Sequence, residues 1–275
     1  MKKLATLAAF ILWVGVGSLR AQEKIVVGGS GGLIQEMQEL AKAYVAKHPS
    51  DSIQVLEESM SSSGGMEGVK TGRLTIGLVT RPPRGDEKGR LVYRGVGRFA
   101  VGVGAHKSAS VSSLGERQVC DIFSGKIQSW KEAGGSDARI VVLSRQRVDD
   151  ANTQTFRDKM ACFRDLKITP QAVVLIRGNE VLDALDRRTG TVGIVSTSSL
   201  TPGSSSTQRQ NIQMVAIDGV LPTTEALQSG KYGYYAEKGV VTLGEPQGLA
   251  KRFLAFVNSA EGHKILAASG AIPVR

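Results

Sequence analysis

Two loops rich in serine and glycine are the residues of this sequence best suited to chemistry. Residues 28–32 read GGSGG and residues 61–65 read SSSGG, and each loop lies between a short strand-like run and a helical pattern. A strand that passes through a glycine turn into a helix leaves the first-turn N–H groups without partners, with the positive end of the helix dipole behind them. The sequence therefore predicts an anion-binding site that uses Ser30 and Ser62.

Residues 28–32 also match the G-x-S-x-G elbow of serine hydrolases, in which Ser30 would be the nucleophile. That elbow requires an oxyanion-hole loop from an earlier strand, followed by an acid and a histidine. Here the motif follows the first strand expected after residue 21, and His263 falls on a predicted C-terminal helix. The pattern favours binding, and a secreted serine hydrolase is the alternative from a different functional class.

The elements that carry these loops alternate between strand and helix patterns, which predicts an α/β protein. Apolar residues recur with helical spacing over residues 33–45, and Pro49 predicts the end of that helix. Residues 98–104 read as a strand, and Ser113 with Glu116 forms a capping-box signature for a further helix. Residues 201–210 are rich in Ser, Thr, Gly and Pro and predict a surface loop.

Residues 1–21 have the form of a secretory signal peptide, with Lys2 and Lys3 before an apolar run and small residues before Ala21. An uncleaved membrane anchor is the alternative, although the apolar core is shorter than the ~20 residues of a span. No cysteine lies near residue 21, so the sequence gives no indication of a lipid anchor. We therefore expect an exported, periplasmic protein.

The formal charge of +10 falls to +7 when residues 1–21, with three basic residues and no acidic one, are removed. A positive balance attracts anions. Nucleic acid is not expected as a partner, because the basic residues are scattered and aromatic residues make up only 5% of the chain.

The cysteines and histidines set a second limit on function. Cys120 and Cys162 lie too far apart for a Cys-x-x-Cys motif, so either a disulfide or two buried thiols is expected. The three histidines are isolated from one another. No metal and no cofactor are therefore expected.

Several stretches together resemble the periplasmic substrate-binding proteins of ABC importers, in particular their phosphate-binding members. The resemblance covers nearly the whole chain after residue 21, and residues 122–135 (IFSGKIQSWKEAGG) are its most specific match. The other matching stretches are residues 62–66, 76–82, 190–195, 229–232, 253–257, 259–262 and 270–273.

The resemblance implies a two-lobed, periplasmic-binding-protein-like α/β fold with two hinge-crossing strands. The crossings are expected near residues 99–103 and 231–235. Residues 22–100 and 231–275 would then form lobe 1, and residues 101–230 would form lobe 2. In this family the ligand lies between facing helix N-termini, and the lobes close around it.

Matched residue by residue, the family's ligand contacts in lobe 1 fall on two loops and a strand end of this sequence. They are Ser30, Gly31, Gly32, Ser62, Ser63, Thr80 and Arg81. Thr80 stands where many members have an aspartate that accepts a hydrogen from protonated phosphate. A threonine can accept a hydrogen bond, but it cannot repel a fully ionised anion.

The match in lobe 2 departs further from the family pattern. Arg145 is the expected fork for two ligand oxygens, and Thr153 is an expected donor at a helix start. Asn152 falls among the expected contacts, although Ala151 and Asn152 replace the family's Ser-Gly pair. Asp149 or Asp150 is available to replace the missing acceptor.

The sequence thus predicts a non-enzymatic, monomeric protein that captures inorganic phosphate for an ABC transporter permease, or for a membrane sensor. Another oxyanion is the alternative ligand: sulfate, arsenate, molybdate or tungstate. Thr80 separates these possibilities, because a site made only of donors favours fully ionised anions.

Overall fold

The computed structural model describes residues 23–145, 150–200 and 209–274. The predicted signal peptide, Asp149 and most of the predicted loop at 201–210 lie outside these residues. The described part is a mixed α/β fold of eleven strands and eight α-helices, joined by short 3₁₀ turns. The strands are β1 Lys24–Gly29, β2 Ser52–Ser59, β3 Ile76–Val79, β4 Leu91–His106, β5 Ser113–Leu114, β6 Val141–Arg145, β7 Val173–Leu175, β8 Thr191–Ser196, β9 Ile212–Ile217, β10 Tyr235–Leu243 and β11 Ile272–Pro273.

The helices cover the strands and alternate with them along most of the chain. They are α1 Ile34–Lys47, α2 Ser61–Lys70, α3 Glu116–Ser124, α4 Ala151–Lys159, α5 Gly178–Arg187, α6 Thr224–Gln228, α7 Gly248–Val257 and α8 Ala260–Ala268. The first of them buries the apolar stripe that the sequence predicted, and it ends two residues before Pro49. Burial of that stripe, more than intrinsic propensity, stabilises such a helix.

The main sheet has the strand order β2-β1-β3-β10-β4-β8-β6-β7. The first three of these strands in sequence, β1, β2 and β3, run parallel, with β1 between the other two. The long strand β4 pairs with β10 as far as Ala100, and it pairs with β8 from Val101 onward. One strand therefore belongs to two groups of strands, with β1, β2, β3 and β10 on one side and β8, β6 and β7 on the other.

Two large apolar cores lie on either side of this junction. One contains residues from α1, β1, β3, α7 and α8, and the other contains residues from β5, α3, α4, β8 and β9. Phe99 belongs to the first core, whereas Ala100 and Val101 belong to the second. The core changes between adjacent residues of β4, as expected of a strand that connects two compact units.

Cys120 and Cys162 form a disulfide, with their Cα atoms 6.2 Å apart. The bond joins α3 to the turn that follows α4, and it resolves the two possibilities that the sequence left open. The two cysteines are 42 positions apart in the sequence, so the disulfide closes a long loop of the chain. A cross-link of this length stabilises the fold by reducing the freedom of the unfolded chain.

The start of α3 differs from its predicted capping box. Ser113 is not the capping residue: it lies in the short strand β5, and its hydroxyl accepts the N–H of Gly219 at 3.1 Å. Gly115 precedes the helix instead, and its N–H donates to the Gln118 side chain at 2.9 Å. Pairing of β5 with β9 therefore outweighs the local capping signal.

Candidate anion-binding site

Three of the four hydroxyl groups predicted in lobe 1 meet at one edge of the sheet. Strands β1, β2 and β3 are parallel, so the residues that follow them emerge at the same edge. The Ser30 hydroxyl donates to the Thr80 hydroxyl at 3.4 Å, and the Ser62 hydroxyl lies 3.1 Å from that same oxygen. Ser30 and Ser62 are both buried. The structure thus brings together three of the predicted site residues in a single cluster.

Two glycines allow the chain to approach itself closely behind this cluster. A Cβ atom at Gly29 would lie 2.4 Å from the Leu78 carbonyl oxygen, and one at Gly65 would lie 2.7 Å from the same oxygen. The backbone of Gly29 also has a φ of +138°, which L residues rarely adopt. The glycines of the two loops are therefore needed to bring β1, α2 and β3 together.

The loops also bring two helix starts to the cluster: Ser30 precedes the 3₁₀ turn Gly31–Leu33 that leads into α1, and Ser62 lies at the start of α2. Helix α2 begins at Ser61, and Ser62 and Ser63 occupy its first turn. The N–H groups of a helix's first turn have no carbonyl partner within that helix. In α2 the Gly64 N–H donates to the Ser61 hydroxyl at 3.4 Å, and the other first-turn N–H groups can be offered to an anion. Ser61 has a φ of +64°, a left-handed conformation that is strained for a serine.

The first loop offers fewer backbone donors than predicted. The Gly31 N–H donates to the Ser59 hydroxyl at 2.9 Å, so this amide is already used inside the protein. Gly32 faces the cluster, because a Cβ atom at this position would lie 3.0 Å from Thr80 Cγ2 and 3.8 Å from Ser30 Oγ. Ser59 was not predicted from the sequence, because it lies in a strand outside both loops.

Ser63 and Arg81 lie apart from the hydroxyl cluster. The Arg81 guanidinium donates to both oxygens of the Glu87 carboxylate, at 2.6 and 2.7 Å, and also to the Ser63 hydroxyl at 3.3 Å. The hydrogen bond from Arg81 lowers the pKa of Glu87 to about 2, although partial burial opposes this shift. A bidentate pair of this kind holds both side chains in one geometry.

A cavity of about 120 Å³ opens beside Thr80, between the two groups of strands. Its lining comes from the segment after β3, from α4 and from the start of β10: Thr80, Arg81, Pro82, Arg84, Ala151, Gln154, Thr155, Asp158, Lys159, Tyr235, Ala236 and Glu237. Two contacts cross it, an ion pair between Arg84 and Asp158 at 3.6 Å and the Lys159 ammonium 3.4 Å from the centre of the Tyr235 ring.

The predicted residues of lobe 2, Arg145, Asn152 and Thr153, do not line this cavity. Arg145 ends β6, and a Cβ atom at Gly178, the first residue of α5, would lie 3.4 Å from one of its terminal nitrogens. Within the described residues, the buried Nε of Arg145 has no hydrogen-bond partner. An arginine placed in this way can still offer donors to a ligand.

Asn152 and Thr153 occupy the first turn of α4. The Thr153 hydroxyl donates to the Asp150 carboxylate at 2.5 Å, and Asp150 is buried at the residue that precedes the helix. Within the described residues, no hydrogen bond joins Arg145, Asn152 or Thr153 to the hydroxyl cluster. The structure therefore assembles the lobe 1 half of the predicted site more completely than the lobe 2 half.

A buried lysine beside the cluster was missed from the sequence. The Lys238 ammonium lies 3.6 Å from the Glu36 carboxylate, and both side chains are less than a tenth exposed. The signal was present: Ala236, Lys238 and Val240 share the buried face of β10, and Glu36 lies within the apolar stripe of α1. A charged residue at a position where the strand or helix pattern predicts burial indicates a functional group or a paired charge.

Metal binding and membrane spanning are two further possibilities for the described residues. In these ranges, no group of three or more His, Cys, Asp or Glu side chains is placed to hold a metal ion. Over the same part of the chain, no helix has the length and apolar character needed to cross a membrane.

Comparison with known proteins identifies the fold family. The model of the PBP superfamily domain matches residues 15–261. The phosphate-binding protein PstS of Bacillus subtilis is 27% identical over 262 residues, which cover 94% of this chain and 83% of that protein.

Solved structures give the same result. A phosphate ABC transporter substrate-binding protein from Clostridium perfringens, solved with bound phosphate, superposes with a TM-score of 0.80 and 26% identity over 92% of this chain and 100% of that one. An ABC-type phosphate transport receptor from Vibrio cholerae, at 20% identity, has a TM-score of 0.69 with the same coverage and supports the fold. Since the family model spans most of the sequence, the chain belongs to the PBP superfamily.

Proposed function

We propose that this protein is a binding protein that captures inorganic phosphate between two lobes and delivers it to an ABC importer. The observation that carries the proposal is the convergence of Ser30, Ser62 and Thr80 at two helix starts. Thr80 Oγ1 can accept from both serines, which leaves its own hydrogen for a ligand oxygen. Directed neutral donors at helix N-termini are well suited to a tetrahedral oxyanion.

The relatives support phosphate as the ligand. The matched proteins of Bacillus subtilis and Clostridium perfringens carry names that state phosphate binding, and the second was solved with phosphate bound. Both comparisons cover more than nine-tenths of this chain.

We propose that lobe 1 comprises residues 22–100 and 231–275 and that lobe 2 comprises residues 101–230. The change of core between Phe99 and Ala100 supports the first boundary. The cavity beside Thr80 would then be the cleft between the lobes, and the ion pair between Arg84 and Asp158 would form across its mouth when the lobes close.

In the closed cleft, lobe 2 would add one guanidinium group that donates to two ligand oxygens and one carboxylate that accepts a hydrogen bond from the ligand. Arg145 has a buried nitrogen without a described partner, which supports a role in gripping the ligand. Thr153 and Asn152 would lie at the start of α4, with Asp150 beside them. Because Asp150 is buried and ionisable, it is our candidate for the charged acceptor that is missing at Thr80, and it would accept a hydrogen bond from the O–H of hydrogen phosphate.

Ser63 and Arg81 would have a supporting role at the rim. Their hydrogen bonds with Glu87 hold the segment after β3 in place, next to Thr80. Gly32 has no side chain between its backbone and the cluster, so it would allow the ligand to approach the backbone, whereas Gly31 would anchor the loop through Ser59.

The protein would act after export to the periplasm, as a monomer that presents its closed form to a membrane permease or a sensor. We propose no enzymatic activity. The Ser30 hydroxyl donates to Thr80, whereas a nucleophilic serine donates to a general base such as histidine.

Thermal unfolding in the presence of phosphate tests this function. A ligand that binds only the folded protein raises the midpoint of unfolding as its concentration increases. We expect phosphate to raise the midpoint and sulfate to leave it unchanged. A midpoint that no phosphate concentration alters would contradict the proposal. A response to sulfate or molybdate alone would mean that this other oxyanion, and not phosphate, is the ligand.

A further inference from the structure

Lys238 occupies an unusual position for a lysine. Its side chain is 3% exposed and lies on the inner face of β10. The pairing of β10 with β4 is irregular at this point: Lys238 is opposite Gly97, whereas the next residue, Gly239, is opposite Gly95. A bulge of this kind changes the direction of the side chains around it.

Three separate elements surround the Lys238 ammonium. Glu36 of α1 lies 3.6 Å away, Ser198 of the turn after β8 accepts a hydrogen bond at 2.8 Å, and the Phe99 ring of β4 lies 3.8 Å away. Burial lowers the pKa of Lys238, and the charge of Glu36 opposes that shift. A buried cation is tolerated only with such compensation.

The same side chain lies against the first anion-binding loop. Lys238 Cε and Ser30 Oγ are both within 4.0 Å of the point where a Cβ atom of Gly32 would be, and Thr80 Cγ2 is 3.0 Å from that point. The aliphatic end of the lysine therefore adjoins the residues that form the hydroxyl cluster.

We propose that Lys238 is an electrostatic specificity residue of the anion site: its positive charge favours an anion beside the Gly32 loop, and Glu36 and Ser198 hold the ammonium in place. This inference rests on the proposed oxyanion-binding function. It also gives the buried pair a role beyond stability, because a pair of this kind is often no more stabilising than apolar residues. The hydroxyl cluster provides directed but neutral donors, and Lys238 adds charge.

Two substitutions with different expected effects on phosphate affinity distinguish this role from a structural one. Lys238→Met removes the positive charge and leaves Glu36 in place, and we expect phosphate affinity to fall about ten- to hundredfold. Glu36→Gln removes the neighbouring negative charge and should leave affinity unchanged or increase it. If the pair only held the fold together, both substitutions would weaken binding.

The experiment is a calorimetric titration of the purified mature chain and its variants with inorganic phosphate. Lys131→Met is the matched control, because the Lys131 side chain is 72% exposed and its ammonium is paired with Asp137 at the surface. We expect the control to bind as the wild type does. The double variant Lys238→Met/Glu36→Gln leaves no buried charge unpaired, so it reports on the charge if Lys238→Met alone fails to fold, and it should bind more weakly than Glu36→Gln.

Two results would overturn the inference. Equal weakening by Lys238→Met and Glu36→Gln would make the pair structural, and wild-type affinity in Lys238→Met and in the double variant would remove Lys238 from the site. Both results require wild-type binding of phosphate. A wild-type protein that binds neither phosphate nor any of sulfate, arsenate, molybdate and tungstate would overturn the proposed function together with this inference.

Discussion

Ser62 makes two contacts with Thr80: its hydroxyl accepts the Thr80 N–H at 3.0 Å and lies 3.1 Å from the Thr80 hydroxyl. The first contact fixes the end of β3 to the first turn of α2. Because Ser62 Oγ accepts from the backbone, its hydrogen can be given to Thr80 or to a ligand. One buried side chain thus joins the scaffold to the proposed anion site.

Ser62→Ala should weaken phosphate binding by about 1–3 kcal/mol, because it removes one donor and leaves the Thr80 N–H without its partner. Calorimetric titration measures the change. Ser229→Ala is the control, since its hydroxyl donates only to the Ala226 carbonyl within α6 and should not affect binding. Equal affinity for Ser62→Ala and the wild type would remove the cluster from the site.

Arg145→Ala should weaken phosphate binding by about 2–5 kcal/mol if the guanidinium grips the ligand in a closed cleft. Arg139→Ala is a matched control, because Arg139 is exposed and precedes the opposite end of β6. Both variants should unfold cooperatively, as judged by circular dichroism. If the two substitutions had the same effect on affinity, Arg145 would have only a general electrostatic role.

Gly65→Ala should lower the free energy of unfolding by about 1–3 kcal/mol, because the new Cβ atom would lie 2.7 Å from the Leu78 carbonyl oxygen. The displacement would also separate α2 from β3 and weaken binding. Gly233→Ala is the control, since nothing lies within 4 Å of its Cβ position. Denaturant unfolding gives the free energy, and a loss as small as that of the control would show that α2 can shift without strain.

The pair between Arg81 and Glu87 predicts a defined pH dependence of stability. Arg81 lowers the pKa of Glu87 from 4.5 to about 2, so the ionised carboxylate stabilises the folded state above pH 4.5. That contribution should be lost as the pH falls toward about 2. The difference in unfolding free energy between the wild type and Glu87→Gln should therefore decrease over this interval.

Glu67→Gln on the exposed side of α2 is the control for this measurement, and its difference from the wild type should change less with pH. A Glu87→Gln difference that stayed constant from neutral pH down to pH 2 would contradict the assigned pKa.

Much of the fold followed from local patterns in the sequence. The predicted two-lobed α/β fold is confirmed by the Clostridium perfringens structure, and the predicted helix at 33–45 is observed as α1. The strand predicted at 98–104 is longer, because β4 extends from Leu91 to His106. The irregular pairing at Gly95 and Gly97 interrupts the alternation of side chains there, so this half of the strand had no clear period.

The site was predictable where its residues lie in loops whose glycine and serine content already indicates an anion-binding turn. Ser30 and Ser62 follow from the glycine loops, and Thr80 followed from the resemblance to the family. The partners of Lys238 did not follow, because Glu36 and Ser198 are brought to it by tertiary structure. Pairing between distant charged side chains depends on distances that no local pattern contains.

The decisive experiment is calorimetric titration of the mature protein, stripped of bound anion by unfolding and refolding, with phosphate and then with sulfate. We expect phosphate to bind at a single site and sulfate to be rejected, with Asp150 as the acceptor that discriminates between them. Replacement of that acceptor by Asp150→Asn should reduce the discrimination. Absence of phosphate binding, or sulfate binding as tight as that of phosphate, would show that the protein is not a selective phosphate-binding protein.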